Sequence, residues 1–263
     1  MLSSPANPPK KRLGQHFLKD PNTARIVAEG VTEDDIVLEV GPGRGFLTAV
    51  LAQRARLVYA VELDPDVLPD LRRAVRGFDN VVIHEGDAVR FDYRTLDPAP
   101  NKLVANLPYN VASPLVLRLL EEVRSLDSLR FMVQLEVARR MAASPGTKDY
   151  GAYAVLVQLL AESRIAHRVS PQVFDPPPRV YSAVVEMRRR RAGLEPAEYR
   201  AVKELVLAAF KSRRKRLVNN LPGDLREGAT RALISLGFGP NARAEELSPE
   251  DFVALRRMLA EAI

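Results

Sequence analysis

The 263-residue chain contains no cysteine, which excludes disulfides, thiol nucleophiles and cysteine-ligated metal. Its three histidines, His16, His84 and His167, are far apart in sequence, so no metal site is expected. No run of about 18 apolar residues occurs, and the Pro/Ser-rich start from Met1 to Pro9 lacks an apolar signal core. A soluble cytoplasmic protein with no membrane segment is expected. Internal repeats and low-complexity tracts are also absent. What is present is enough apolar material, 46% of residues, for one large domain or a large and a small one.

The net charge of +6 is unevenly placed. Lys and Arg balance Asp and Glu at 23 each from Met1 to Met187, whereas Arg188 to Ile263 holds 16 cations against 10 acids. The excess belongs to the C-terminal part, where Lys211-Ser212-Arg213-Arg214-Lys215-Arg216 packs five cations into six residues. Local acids cannot neutralise all of them, and a polyanion is the expected partner. Lys10-Lys11-Arg12 and Lys19 form a second basic stretch, an arm interleaved with the apolar hook Leu13-Gly14-Gln15-His16-Phe17-Leu18.

Between them the pattern alternates as a doubly wound sheet requires. Strands are expected at Ile36–Val40, Leu57–Val61, Val81–Glu85, Lys102–Ala105, Leu129–Glu136, Ile165–Val169 and Ala183–Met187. Helices are expected at Pro21–Gly30, Phe46–Ala55, Pro65–Arg76, from a Ser113 cap with Pro114 in its first turn, and at Tyr153–Leu160. The expected fold is α/β, a mostly parallel seven-stranded Rossmann-like sheet at residues 1–190, followed by a small all-α domain at 191–263. Helices at Pro196–Phe210, Asp224–Leu236 and from Ser248, with a capping-box pattern, make up the latter.

Three features place chemistry on this frame. After the first of these strands comes Gly41-Pro42-Gly43-Arg44-Gly45, one residue shorter than the dinucleotide fingerprint, which disfavours a pyrophosphate cofactor and a dinucleotide oxidoreductase. Glu62 ends the second strand, where a carboxylate can accept both ribose hydroxyl hydrogens, and Asp87 ends the third, placed for an adenine amine. Asn106-Leu107-Pro108-Tyr109 ends the fourth. An adenine amine is a poor nucleophile because its lone pair is delocalised. Two acceptors, the Asn106 side-chain oxygen and the Leu107 carbonyl aimed by Pro108, can hold it in a more tetrahedral geometry while Tyr109 stacks on the extruded base. Phe174, in a proline-stiffened loop, is expected to clamp that base from the other side.

Together, Gly14-Gln15-His16-Phe17-Leu18, Glu39-Val40-Gly41-Pro42-Gly43-Arg44-Gly45, Val61-Glu62-Leu63-Asp64, Gly86-Asp87-Ala88, Asn106-Leu107-Pro108-Tyr109, Phe174 with Pro176-Pro177-Pro178, and Arg213-Arg214-Lys215 with Asn219-Asn220-Leu221 resemble the ribosomal RNA adenine dimethyltransferases. The resemblance implies S-adenosyl-L-methionine as cofactor. It implies Gln15, His16 and Leu18 near the methionine moiety, Gly41 and Gly43 beneath the cofactor, Glu62 on its ribose, Asp87 on its adenine, and Asn106, Leu107 and Tyr109 as the seat of the base. Lys211, Arg213, Arg214, Lys215, Arg216 and Phe174 would meet RNA. The segment 210–221 resembles the branch that dimethylates two adjacent adenosines in a hairpin near the 3′ end of small-subunit rRNA, implying a monomer acting on an immature 30S particle. The large-subunit macrolide-resistance branch, organellar transcription factors and non-catalytic RNA-binding assembly factors on the same fold remain alternatives.

Overall fold

The computed structural model describes residues 9–10, 13–191 and 193–261; residues 1–8 and Lys11-Arg12 of the basic arm lie outside the described residues. The chain forms two compact units. One runs to Ala138 and takes in Arg164–Arg189; the other comprises Arg139–Ser163 and the chain from Arg190 onward.

In chain order the elements are β1 (Phe17–Leu18), α1 (Pro21–Val27), β2 (Ile36–Val40), α2 (Phe46–Ala52), β3 (Leu57–Glu62), α3 (Leu68–Ala74), β4 (Val81–Glu85), β5 (Lys102–Asn106), α4 (Ala112–Glu122), β6 (Ser128–Gln134), α5 (Leu135–Met141), α6 (Ala152–Leu160), β7 (Ala161–Val169), β8 (Phe174–Asp175) and β9 (Ser182–Arg189). They are followed by α7 (Pro196–Ala209), α8 (Leu217–Asn220), α9 (Arg226–Ser235) and α10 (Pro249–Glu261). Seven strands form one sheet in the order β4-β3-β2-β5-β6-β9-β7. From β4 to β6 every pairing is parallel, and β9 runs antiparallel to β6. All five residues of β2 are buried, as a central parallel strand covered on both faces requires. The chain winds from β2 outward to β4 and returns on the other side of β2 at β5. That reversal opens a crevice at the carboxyl ends of β2 and β5, the place where open α/β sheets bind ligands.

Below the crevice, Val27 and Ala28 after α1, Leu47 and Leu51 of α2, and Val37, Val58, Val104, Met132 and Val184 of the sheet make one buried cluster. Leu18 and Phe174 join it from the arm and the Pro-rich loop. Their strands, β1 and β8, form a two-residue antiparallel ribbon that hydrophobic alternation is too short to signal.

Three expectations change. The strand expected to reach Glu136 ends at Gln134, where the Leu135 amide bonds the Tyr181 carbonyl at 2.9 Å and the chain turns into α5; Glu136 then sits in a first helical turn, beside the positive dipole end. Ser113 is not the cap of α4. Val111 is, because the turn from Pro108 to Val111 already directs the chain into the helix. The single boundary at residue 190 is replaced by one that gives 139–163 to the helical unit. The reason is α6, apolar on nearly every side, with α7 and α10 packed on it. Tyr150 anchors that unit, its hydroxyl donating to Leu247 O at 2.8 Å and its ring 6.4 Å from that of Phe210, which lies 5.9 Å from Phe252. The capping box at α10 is formed: Ser248 N donates to Asp251 Oδ2 at 2.8 Å and Asp251 N to Ser248 Oγ at 3.1 Å.

Candidate active site

The glycine turn leaves β2 with Gly41, Gly43 and Gly45 all at positive φ. At all three positions the neighbours also crowd a side chain, most severely at Gly43 and Gly45, where an added Cβ would come within 2.8 and 2.9 Å of its nearest atom. A Cβ on Gly41 would lie 3.2 Å from Pro108, so the turn and the Asn106–Tyr109 motif touch through bare backbone. A Cβ on Gly43 would lie 2.8 Å from the Phe17 ring, whose centroid is 4.5 Å from the Arg44 guanidinium carbon. The Gly43 amide is not offered to a ligand; it donates to Glu62 Oε2 at 2.9 Å.

Glu62 is therefore oriented from two sides, since Asp64 N also donates to its Oε1 at 2.8 Å. Each oxygen keeps a further lone pair for a hydroxyl. Burial pushes its pKa up, and the two backbone hydrogen bonds oppose that shift. Glu39, at the last turn of β2 before the glycines, is 1% exposed, and burial, reinforced by the charge of Glu62, pushes it up to about 8; Thr48 acts in the opposite sense. Burial thus favours the neutral acid form of Glu39. Asp87 closes its own turn, its Oδ1 accepting from Val89 N at 2.9 Å.

The arm covers one side of the same pocket. Gln15 Nε2 donates to Asp64 Oδ2 at 2.8 Å, the Lys10 amide donates to Gln15 Oε1 at 2.7 Å, and Lys10 Nζ lies 2.5 Å from both Asp64 and Asp66. His16 Nδ1 is 2.7 Å from Pro176 O, and its ring stacks on Tyr109 with centroids 5.5 Å apart. The arm residues Gln15, His16 and Leu18 line the pocket with Gly41, Gly43, Glu62, Asp87, Asn106, Leu107 and Tyr109.

At the end of β5, Asn106 donates through Nδ2 to the His16 carbonyl at 3.1 Å, which fixes the amide so that Oδ1 is the remaining acceptor. That oxygen is buried and has no hydrogen-bond partner among the described residues. A buried acceptor left open costs about 1–3 kcal/mol, and here it belongs to a residue that lines the pocket. The Leu107 amide is anchored to Met132 O at 3.1 Å, and the Tyr109 hydroxyl is 2.5 Å from Ser182 Oγ.

Three of the expected RNA contacts, Phe174, Arg213 and Arg216, have partners within the protein. Phe174 is fully buried in the core cluster and paired with Leu18, so it supports the arm instead of offering a stacking face. The side of Tyr109 toward the arm is taken by His16. In the helical unit Arg213 is a brace: Nε lies 2.7 Å from Glu245 and Nη2 donates to Lys148 O at 2.7 Å. Arg216 reaches Asn241 and Asn219. Lys211, Arg214 and Lys215 are exposed and carry no ion pair among the described residues. Sequence reasoning missed the Lys10–Asp64 latch, the buried Glu39 and the Tyr109–Ser182 contact, because pairings between distant residues leave no local signal in the sequence.

A doubly wound sheet with a non-dinucleotide glycine turn at its switch point, acids ending the next two strands and an open amide acceptor ending β5 defines a Rossmann-like methyltransferase of an amine. The model of the ribosomal RNA adenine dimethylase family matches residues 6–261, and the chain belongs to that family. A relative from Rubrobacter xylanophilus, "Ribosomal RNA small subunit methyltransferase A", is 73% identical over 98% of both chains. One of the same description from Methylococcus capsulatus is 39% identical over 95% of this chain and 98% of its own. Among solved structures, the 23S rRNA methyltransferase ErmE matches with a TM-score of 0.74 at 29% identity, covering 93% of this chain and 99% of that one. A dimethyladenosine transferase from Plasmodium falciparum shares the fold, with a TM-score of 0.79 at 24% identity over 91% and 96%. The chain is an S-adenosylmethionine-dependent rRNA adenine dimethyltransferase. The residues present fit that cofactor: one pocket is lined by two carboxylates near adjacent strand ends, by glycine backbone without side chains, and by a residue whose amide oxygen has no partner among the described residues.

Proposed function

We propose that the substrate is small-subunit rRNA, with two adjacent adenosines of a hairpin near its 3′ end dimethylated on an immature 30S particle by a cytoplasmic monomer. The 73% identical relative supports this branch over the large-subunit one, represented by ErmE at 29%. In this reading Glu62 binds the ribose and Asp87 the adenine of the cofactor, while Gln15, His16 and Leu18 flank its methionine end. The chemistry rests on one observation, the unpartnered Asn106 Oδ1.

S-adenosylmethionine supplies an electrophilic methyl group. The protein's part is orientation. Asn106 Oδ1 and the Leu107 carbonyl accept the hydrogens of the adenine amine, turn its lone pair out of conjugation, and place two dipoles against the positive charge that develops on nitrogen. No strong base is required, because the methylated, cationic nitrogen is acidic enough to lose a proton to solvent. The Asn106 amide is held by the His16 carbonyl, and Tyr109 by Ser182, so neither has to reorganise when the base arrives. Lys211, Arg214 and Lys215 hold rRNA phosphates, and Arg213 fixes the loop that carries them.

The test is nucleoside analysis of undermethylated 30S subunits incubated with the protein and methyl-labelled cofactor, alongside 50S subunits. Labelled dimethyladenosine confined to small-subunit RNA is expected. Label confined to 50S would move the chain to the other branch, and none in either would leave a non-catalytic assembly factor.

A further inference from the structure

The segment after β4 carries Asp87 and three further lining residues, Gly86, Ala88 and Val89, on a loop with no regular structure until Tyr93. Beyond the turn that Asp87 itself closes, it is held by a side chain that is not in any motif. Arg118, on α4, sends Nη1 to Ala88 O at 3.1 Å and to Val89 O, and Nη2 to Phe91 O at 2.9 Å. Nε donates to Glu122 Oε2 at 2.9 Å, which fixes the plane of the guanidinium, and its carbon lies 5.3 Å from the centroid of the Tyr93 ring. The Tyr93 hydroxyl adds a second bond to Ala88 O at 2.7 Å. Three carbonyls in four residues thus converge on one planar fork, a geometry that a lysine point charge cannot reproduce.

The other end of the same helix is the target-base site. Val111 N bonds Pro108 O at 3.2 Å and caps α4, so the rod from Ala112 to Arg118 starts at the Asn106–Tyr109 motif and ends, about two turns later, on the adenine loop. We propose that Arg118 is a positioning residue for the cofactor: it sets the loop so that the Asp87 carboxylate meets the exocyclic amine of the cofactor's adenine, and it references that loop to the helix that seats the target base. This rests on Asp87 being the adenine acceptor.

The consequence is selectivity as well as affinity, because a loop held loosely still contacts a purine but no longer tells an amine from an oxo group. Calorimetric titration with S-adenosylhomocysteine and with S-inosylhomocysteine, whose amine is replaced by oxygen, reads this directly. Arg118→Met is expected to bind S-adenosylhomocysteine about 10-fold more weakly, to lose most of the preference between the two ligands, and to keep kcat at saturating cofactor within about 2-fold, with Arg118→Lys regaining only a small part. Asp87→Asn is measured in parallel. If Asp87→Asn leaves the preference intact, the Asp87 assignment fails; if Asp87→Asn abolishes it and Arg118→Met binds both ligands as the parent does, the role of Arg118 is overturned. Should Arg118→Met not fold, Glu122→Gln, which loosens the guanidinium without removing it, is expected to narrow the preference partially, and an unaltered preference there overturns the proposal equally.

Discussion

The pocket of the sheet unit and the basic segment of the helical unit are both crowded with polar side chains, yet they are organised in opposite ways. In the pocket, Gln15, His16, Glu62 and Tyr109 are each held by the protein itself, and two buried oxygens of the lining, Asn106 Oδ1 and Glu39 Oε2, have no hydrogen-bond partner among the described residues. In the segment 211–216, one cation is a brace and Lys211, Arg214 and Lys215 stand in solvent. Methyl transfer needs geometry fixed in advance, whereas phosphates along a polyanion are met by mobile charges whose value lies in counterion release.

The comparison can be broken most severely at Phe174. If this ring is core, Phe174→Ala costs about 3–5 kcal/mol of unfolding free energy, seen as a lower denaturant midpoint in the absence of RNA. A stacking plate would instead lower substrate affinity at unchanged stability. Next is Asn106→Ala, expected to lower kcat about 100- to 1,000-fold with cofactor affinity retained in calorimetry; parental turnover would remove the orienting role. In the basic segment, Arg214→Gln with Lys215→Gln should reduce the slope of log K against log salt for subunit binding by about 1.4–1.8 while thermal stability stays level. Arg213→Gln should do the reverse, lowering the melting temperature more than the slope. The last test, at Glu39, is one of pH dependence. Its folded pKa is raised, so the folded protein loses stability as pH climbs from the ordinary carboxylate range to about 8. Glu39→Gln, which cannot ionise, should flatten that decline in thermal melts between pH 5 and 8.5.

The sequence made the sheet legible because its strands are short apolar runs closed by glycine or acid, and Ile36–Val40 and Val81–Glu85 appear with the bounds expected. It made the pocket legible because Gly41, Glu62, Asp87 and Asn106 each lie at or within two residues of a strand's carboxyl end, and parallel strands end on one edge. Burial of a lone aromatic was not legible. Phe174 in a proline loop looks like a plate until its partner Leu18, more than 150 positions earlier, is known. The division of the chain was hidden for a related reason: α6 is apolar on all sides, and nothing local says whether a sheet or two later helices enclose it. Arg118 belongs to the same class, since its function is set by carbonyls, which carry no side-chain signature.

The ribbon between β1 and β8 has a consequence for the order in which the molecule is made. The arm leaves the ribosome first, but Phe17 pairs with Asp175 and His16 meets Pro176 O, so one wall of the pocket waits for residues translated some 160 positions later. A nascent chain that has already produced its glycine turn, its acids and its Asn106 still has an open-sided pocket. That wall closes only once the loop before β9 has emerged and paired with the arm, about two-thirds of the way along the chain.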